Sequence, residues 1–270
     1  MEGWIFLHDI DPVLVALGPL KVRWYGLMYF IAFLLGYLFI LRMSRQPYSP
    51  IETEDVPNLL TFVILGVILG GRLGYVLFYG GWYYILAPWK ILEIWKGGLS
   101  FHGGLLGFTA ALWLYARSRK VPLLAVGDFV IVMVPVGLFF GRLGNFINGE
   151  LFGKPTDGSW GVVFPTDPIQ VPRHPSQLYE AFGEGLVIFL VLWALYTHVR
   201  RPGIQPAVFL LLYGIARFAV EFIRLPDADM GYLWGVVTMG QVLSMPMIAV
   251  GLGWTIYILT RPAADEAQAP

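Results

Sequence analysis

The segment PLLAVGDFVIVMVPVGLFFGRLGNFINGE, residues 122–150, decides the fold class of this chain. Its first part, residues 122–144, is apolar and supplies the roughly 20 residues that a helix needs to cross a bilayer. Arg142 lies at the end of this run. A charged side chain near the bilayer centre costs roughly 2.5–3.5 kcal/mol, so it is expected to face the protein interior or a wet cavity and to meet a counter-charge. The segment therefore predicts a membrane-spanning helix that ends in a polar site.

The composition of the whole chain also indicates a membrane protein. Of its 270 residues, 57% are hydrophobic and 13% are charged, whereas soluble domains carry about 25% charged residues. The net charge is zero, which gives no bulk attraction to nucleic acid. The absence of cysteine excludes disulfides, thiolate metal sites and a cysteine nucleophile. The four histidines lack metal-binding spacing, so we predict no zinc site.

Seven segments are long and apolar enough to be transmembrane helices. They cover residues 24–42, 59–79, 99–116, 122–144, 177–199, 204–221 and 235–260. The predicted fold class is an all-α integral membrane protein with about seven transmembrane helices, all within one multi-spanning domain, residues 1–260.

Three further segments are expected to lie outside the bilayer core. Residues 82–96 contain three tryptophans and two lysines, which is typical of an amphipathic arm that lies in the membrane interface. Residues 145–175 form the only long loop and are rich in Gly, Pro and polar residues. We interpret them as a small periplasmic head. Residues 261–270 are expected to be a disordered cytoplasmic tail.

The basic residues beside the spans predict the orientation in the membrane. One set is packed into short connections, and it consists of Arg42, Arg45, Arg117, Arg119, Lys120, Arg200, Arg201 and Arg261. This compact set predicts the cytoplasmic side, so the N-terminus is expected in the periplasm and the C-terminus in the cytoplasm. Polar residues of several spans then meet in the outer leaflet, which predicts a site there.

The span 204–221 carries one polar stripe. Tyr213, Arg217, Glu221 and Arg224 recur at helical spacing, so they share one face of the helix. Arg217 and Glu221 are four residues apart and could form an ion pair that only stabilises the bundle. Two arginines and a tyrosine are more than such a pair needs, so the stripe favours a site that binds an anion. In a membrane the commonest anion is a lipid phosphate.

The stretch 141–150 places Arg142 beside other polar groups. Asn145 and Asn148 supply neutral donors, Glu150 supplies a counter-charge, and small residues at 141 and 144 allow close helix approach. The plainer alternative is an arginine that complements the negative end of a helix dipole.

The sequence Gly-Arg-Leu-Gly occurs twice, at 71–74 and at 141–144. Four residues do not distinguish an old duplication from convergence. Arg72 therefore has two interpretations. It binds an anion as Arg142 is expected to do, or it pairs with a buried carboxylate such as Asp128, Glu180 or Glu184.

His102 opens the third predicted span between pairs of glycines, in Gly97-Gly98-Leu99-Ser100-Phe101-His102-Gly103-Gly104. Glycines would let a substrate approach the ring closely, and histidine can act as a base near neutral pH. A lone histidine is also commonly a packing or hydrogen-bonding group. At the start of the fifth span, Gln177, Glu180 and Glu184 share one face, which is expected to line the same cavity or to neutralise the arginines.

Five motifs together carry a resemblance to a known family. The run GRLGNFINGELFG at 141–153 resembles the signature of the prolipoprotein diacylglyceryl transferases, which are bacterial inner-membrane enzymes. The other four match in order along nearly the whole chain, and they are VRWYG at 22–26, SFHGG at 100–104, RHPSQLYE at 173–180, and YGIARF at 213–218 with EFIR at 221–224.

The resemblance implies a reaction and a set of residues. Enzymes of this family transfer the diacylglyceryl group of phosphatidylglycerol to the lipobox cysteine of a preprolipoprotein signal peptide, forming a thioether and releasing glycerol phosphate. By resemblance, Arg142 and Arg217 are the essential arginines and His102 is the proposed catalytic base. Supporting, substrate-binding positions are Tyr25, Asn145, Glu150, Gly153, Tyr213, Glu221 and Arg224. No metal or nucleotide is required, and the active site is expected toward the outer leaflet of the inner membrane.

The residue types suit this chemistry. The nucleophile is a thiolate, and a free cysteine has a pKa of about 8.5, so a nearby base or positive field helps. Arginine forks bind phosphate with directed donors and do not lose their charge. Two alternatives remain at this point. One is a transporter or lipid-binding channel for an anionic solute, and the other is an intramembrane protease, for which no serine or aspartate pair is found in the spans.

Overall fold

The computed structural model describes residues 3–18, 20–226 and 231–261. Helices form most of it, which confirms the predicted all-α integral membrane class. Of the predicted tail 261–270, only the first residue falls within the described residues.

The first half of the chain consists of short N-terminal strands followed by helices. Its elements are β1 (Trp4–Leu7), β2 (Val13–Leu17), β3 (Leu20–Arg23), α1 (Trp24–Ser44), α2 (Val56–Tyr79), α3 (Gly81–Leu86), α4 (Phe101–Arg119) and α5 (Leu123–Ile131). Single turns of 3₁₀-helix lie before α2, at Thr53–Asp55, and after α3, at Pro88–Leu92 and Ile94–Lys96.

The described part of the second half contains helices, three short strands and the largely irregular loop 149–175. Its elements are α6 (Val134–Asn148), β4 (Trp160–Val163), α7 (Ser176–Glu180), a π-helical segment (Ala181–Val187), α8 (Ile188–His198), α9 (Ile204–Val220), β5 (Tyr232–Leu233), β6 (Val237–Thr238) and α10 (Met239–Thr260). Among the described residues, α7, the π-helical segment and α8 follow one another without a break.

Five stretches of the described chain are long and apolar enough to cross a membrane. They are Trp24–Ser44, Thr53–Tyr79, Leu123–Ile147, Ser176–His198 and Met239–Thr260. Helix α9 is a shorter apolar helix of 17 residues, and α4, with 19 residues, is not among the five. The predicted total of seven spans thus stays a prediction.

Most predicted span boundaries shift by a few residues, and two predicted spans differ in their construction. The predicted span 122–144 contains two helices, α5 and α6, joined by a turn. Pro135 lies in the first turn of α6, a position that favours proline at the start of a helix. The span predicted at 235–260 begins only at Met239. The hairpin β5–β6 precedes it, and Thr238 caps α10 reciprocally with Gln241.

The chain divides into two compact units, residues 1–39 with 130–270, and residues 40–129. In the 40–129 unit, α2 packs on α4 through glycines. A methyl group added to Gly74 would lie 2.7 Å from the Gly103 Cα, and one added to Gly70 would lie 2.7 Å from the Gly107 Cα. The backbones therefore approach so closely that no larger residue fits, as is common between membrane helices.

The larger unit contains the head and the remaining helices. Strand β1 pairs in parallel with β4, with Trp4 opposite Trp160, so the N-terminus and the head form one small sheet. Arg173 binds Asp167 with two hydrogen bonds of 2.7 and 2.9 Å, both side chains being buried. The Arg173 guanidinium holds the pKa of the Asp167 carboxyl below its usual range.

Helices α9 and α10 pack against each other in the same unit. A methyl group on Gly214 would lie 2.9 Å from a side-chain carbon of Ile248, and one on Gly251 would lie 2.8 Å from the Leu211 Cα. This close packing fixes the rotation of α9 about its axis, and therefore the direction in which its polar stripe points.

Candidate active site

Four helical elements of the larger unit bring six charged side chains together. We call this group the arginine–glutamate cluster, and it consists of Arg142 of α6, Glu180 of α7, Glu184 of the π-helical segment, Arg217 of α9, and Glu221 and Arg224 just after α9. Among the described residues, three guanidinium groups thus face three carboxylates. Buried charges require such pairing.

Glu180 is the common partner of all three arginines. Its Oε2 lies 2.7 Å from Arg142 Nε, 3.4 Å from Arg217 Nη1 and 3.4 Å from Arg224 Nη1. The Glu180 side chain is fully buried. One carboxylate therefore ties α6, α9 and the segment after α9 to α7.

Glu184 stands one turn further along, on the π-helical segment. Its Oε2 lies 3.4 Å from Arg142 Nη2, and its Oε1 lies 3.8 Å from Arg217 Nη1. The segment presses against α6, because a methyl group on Gly185 would lie 2.8 Å from the Phe139 Cα. Single π-helical turns are rare and occur frequently at functional sites.

The structure decides between the alternatives left open for the cluster. Arg217 and Glu221 form the ion pair predicted from their spacing, but Arg217 also contacts Glu180 and Glu184, so the pair is not isolated. The predicted face of the fifth span neutralises the arginines through Glu180 and Glu184.

The plainer interpretation of Arg142 is wrong. Helix α6 continues to Asn148, so Arg142 is more than one turn from its end, and the helix dipole acts only within the last turn. Its side chain instead meets Glu180 and Glu184.

The arginines keep donors for a further ligand. Among the described residues, Arg142 Nη1 and Arg217 Nε have no hydrogen-bond partner. The two side chains are 17% and 16% exposed, whereas those of Glu180 and Glu184 are at most 1% exposed. The carboxylates therefore lie behind the guanidinium groups, and the arginines are the part of the cluster that an anion can reach.

Glu150 is not the counter-charge of Arg142 that the sequence suggested. Its Oε1 accepts hydrogen bonds from Asn145 Nδ2 at 3.0 Å and from Asn148 Nδ2 at 3.1 Å. The two asparagines at the end of α6 reach the carboxylate, because the chain turns back at Gly149 with a φ of 66°. Asn145 and Glu150 thus form a second polar group on α6.

Tyr25 lies beside this second polar group. Its ring lies against Gly144, since a methyl group there would be 2.7 Å from the ring. Its hydroxyl lies 3.2 Å from the Tyr29 hydroxyl. Gly144 therefore permits close approach, as predicted, whereas Gly141 has no atom within 4 Å of an added methyl group.

The head is fastened to the cluster by backbone contacts. Gly153 forms a β-bridge with Arg224, and a methyl group at Gly153 would lie 2.8 Å from the His174 carbonyl oxygen. Gln177 Nε2 donates to the Glu150 carbonyl oxygen at 2.8 Å. Gly153 thus has a packing role, and Gln177 holds the loop rather than an arginine.

Tyr213, on the polar face of α9, stacks on Phe209 at 5.6 Å.

His102 belongs to the 40–129 unit. It is exposed in the first turn of α4, after Ser100, whose side chain caps the helix by accepting from the Gly103 N–H. A role of the flanking glycines in substrate access stays a prediction. Gly103 is buried against Gly70 and Gly74, so it serves helix packing.

Arg72 fits neither of its two predicted interpretations. All five of its N–H groups point at backbone carbonyl oxygens: Nε at Ile91 (2.8 Å), Nη1 at Gly97 (2.7 Å) and Gly98 (3.1 Å), and Nη2 at Lys90 (2.7 Å) and Glu93 (3.4 Å). The side chain is buried. No donor is left for an anion, and among the described residues no carboxylate pairs with it.

The fold and this site define a class, namely a multi-spanning membrane protein that holds a buried cluster of arginines and glutamates with unfilled arginine donors. Comparison of the sequence with known protein families identifies the particular family. A family model for prolipoprotein diacylglyceryl transferase matches residues 12–257. The chain belongs to the prolipoprotein diacylglyceryl transferase family.

Curated relatives agree over almost their full length. The chain is 53% identical over 258 residues to a phosphatidylglycerol–prolipoprotein diacylglyceryl transferase of Nitratidesulfovibrio vulgaris, covering 95% of this chain and 96% of the relative. Proteins with the same name from Cupriavidus pinatubonensis and Pseudomonas fluorescens are 47% and 49% identical, each over 265 residues. The matches cover 97% and 96% of this chain and 96% and 98% of those relatives.

Proposed function

We propose that this protein transfers the diacylglyceryl group of phosphatidylglycerol to the lipobox cysteine of a preprolipoprotein, the first step of bacterial lipoprotein modification. The family membership supports the reaction class. The location of the site is supported by Arg142 and Arg217, two partly exposed arginines whose carboxylate partners are buried behind them. A phosphate diester is an anion that such donors recognise.

Arg142 and Arg217 bind the phosphate of the lipid in this proposal. The cysteine sulfur attacks the glycerol carbon next to the phosphate ester, a carbon–sulfur bond forms, and the carbon–oxygen bond to the phosphate breaks. The leaving glycerol phosphate gains negative charge as this bond breaks. Fixed guanidinium donors stabilise that charge more than the ground state, which is how preorganised donors lower a barrier.

His102 takes the proton of the cysteine thiol. The support is the SFHGG motif of the family and the exposed position of the ring in the first turn of α4. Asn145 and Glu150 form a polar group at the end of α6, and the Tyr25 ring packs against Gly144 next to them. In this proposal the three side chains contact the lipid headgroup or the peptide backbone. Tyr213, Glu221, Arg224 and Gly153 support the arginines and the head.

One assay tests the reaction. Purified protein is incubated with phosphatidylglycerol micelles and a lipobox peptide, and the peptide mass is measured. We expect the mass of a diacylglyceryl adduct, together with release of glycerol phosphate. A peptide in which serine replaces the lipobox cysteine is the matched control, and it should remain unmodified. Absence of the adduct with folded protein would contradict the proposal.

We propose that the active site lies toward the outer leaflet of the inner membrane, with the N-terminus in the periplasm and the C-terminus in the cytoplasm. The compact basic connections support this orientation. Single cysteines are introduced at Ser118 and Gly158 of this cysteine-free chain. A membrane-impermeant thiol reagent should label position 158 but not 118 in intact cells, and the opposite pattern would reverse the orientation. The same prediction for position 228 lies outside the described residues.

A further inference from the structure

The arginine–glutamate cluster already holds an anion between the two arginines to which the phosphate binding is assigned. The Glu184 carboxylate bridges them, 3.4 Å from Arg142 and 3.8 Å from Arg217. Beside the unpaired Arg142 Nη1 and Arg217 Nε, a phosphate oxygen that bridges both guanidinium groups would also use the N–H groups that Glu184 faces, Arg142 Nη2 and Arg217 Nη1. The carboxylate and the phosphate therefore compete for the same donors.

Glu184 is the most weakly held of the three carboxylates. Glu180 contacts three arginines, one of them at 2.7 Å, and Glu221 pairs closely with Arg217. Glu184 has no contact shorter than 3.4 Å to an arginine, and its buried Oε1 accepts no hydrogen bond from a described residue. Leaving a buried charged oxygen without a hydrogen bond is unfavourable, so this carboxylate is the one most easily replaced.

The balance of charges in the cluster also indicates that Glu184 is the carboxylate that a phosphate replaces. Among the described residues, its three arginines are matched by three glutamates. A phosphate diester adds one negative charge close to Glu184 and Glu180, in surroundings where like charges repel strongly. Both carboxylates are repelled, and Glu184, which is held by fewer and longer contacts than Glu180, is the one that moves.

We propose that Glu184 is a resident anion that the lipid phosphate replaces between Arg142 and Arg217, whereas Glu180 stays and aims both guanidinium groups. The inference rests on the proposed function, because it concerns how that site receives its lipid. Glu184 stands on the π-helical segment, and such turns occur frequently at functional sites. In the absence of lipid, Glu184 keeps two partly buried arginines paired.

The opposite effects of two neighbouring substitutions test the proposal. Glu184→Gln keeps the shape of the side chain and removes the competing charge, so the KM for phosphatidylglycerol should fall on the order of fivefold or more. Glu180→Gln removes the carboxylate that aims the arginines, so kcat/KM should fall instead. Glu54→Gln, at an exposed position outside the cluster, is the matched control and should change neither constant.

A binding measurement separates this inference from the proposed reaction. Wild-type and Glu184→Gln proteins are titrated with dioleoylphosphatidylglycerol in mixed micelles without peptide. The variant should bind more tightly and unfold at a lower temperature, because removing one member of a buried ion pair destabilises the fold. This result is expected even if no adduct forms in the transfer assay, whereas failure of that assay alone would contradict only the reaction.

A KM and a dissociation constant for the lipid that stay equal or rise in folded Glu184→Gln would overturn the proposal. If that variant does not fold, Glu184→Asp serves in its place. Its side chain is one methylene shorter and draws the carboxylate away from both arginines, so it should also bind the lipid more tightly than wild type. Weaker or unchanged binding by Glu184→Asp would overturn the proposal as well.

Discussion

The two Gly-Arg-Leu-Gly segments share four residues but place their arginines in opposite situations. Arg72 donates all five N–H groups to carbonyl oxygens of residues 90–98, so its bonding capacity is used up by the chain itself. Arg142 contacts only two carboxylates and keeps Nη1 without a partner among the described residues. A binding site is therefore marked by guanidinium N–H groups that have no partner in the protein, and not by the mere presence of a buried arginine.

The surroundings of Arg72 explain its role. Residues 82–96 turn back over α2, and Gly97 and Gly98 allow the return with φ angles of 84° and 79°. A methyl group on Gly98 would lie 2.8 Å from Arg72 Nη1, so the cradle requires glycine there. The arm exposes Trp82, Trp89 and Trp95, and Arg72 therefore fastens an aromatic surface to a membrane helix.

The largest expected effect is at the arginines with unused donors. Arg142→Lys or Arg217→Lys replaces a planar fork by a point charge, which cannot contact the carboxylates and the phosphate together. We expect kcat to fall by about a thousandfold or more, the upper end for losing an oxyanion donor. The thermal unfolding temperature is measured beside the rate. Near-normal turnover in both folded variants would contradict the conclusion that Arg142, unlike Arg72, belongs to a binding site.

His102→Gln should have the next largest effect. General-base help is worth about 100- to 10,000-fold, and we expect a loss near the lower end at pH 7. Part of the rate should return as the pH rises toward the thiol pKa of about 8.5, where the cysteine loses its proton unaided. Arg142→Lys should show no such recovery. A wild-type rate and pH profile in His102→Gln would place the base elsewhere, with Glu150 and His174 the next to test.

Arg72→Lys should affect stability more than chemistry. A lysine offers three donors to the five carbonyl groups that Arg72 satisfies, so the free energy of unfolding should fall by about 2 kcal/mol or more. The arm should become more sensitive to protease, and transfer should continue at a rate within about tenfold of wild type. Loss of turnover as complete as in Arg142→Lys, with the arm still protected, would contradict the assignment.

The smallest effect concerns Arg173 in the head, which pairs with the Asp167 carboxylate and donates a longer hydrogen bond to the Gly153 carbonyl oxygen. Because the pKa of Asp167 is lowered in the fold, its pairing stabilises the protein above the unfolded pKa of about 3.9 and is lost as the pH falls through the folded value. Thermal unfolding between pH 7 and pH 3 should therefore show a loss of stability that is smaller in Asp167→Asn. Equal pH dependence in both proteins would exclude this pair as a source.

The sequence anticipated much of the site, for a physical reason in each case. Arg217 and Glu221 pair as their spacing requires, because helical residues four apart are neighbours. Glu180 and Glu184 neutralise the arginines, as one interpretation of their shared face held. Glu150 was misassigned because its partners, Asn145 and Asn148, depend on the turn at Gly149 and not on charge.

The membrane class can be predicted from the sequence alone, because apolar length is a local property, and so can the family, because its motifs are contiguous. The sequence also identified which residues carry charge inside the spans. Only the tertiary structure decided that Arg72 is filled by carbonyl groups, that Glu180 joins three arginines and that Gly103 packs against α2. These contacts join residues far apart in the chain. Backbone carbonyl groups, moreover, are present at every residue, so no sequence pattern marks the ones that a buried arginine will meet.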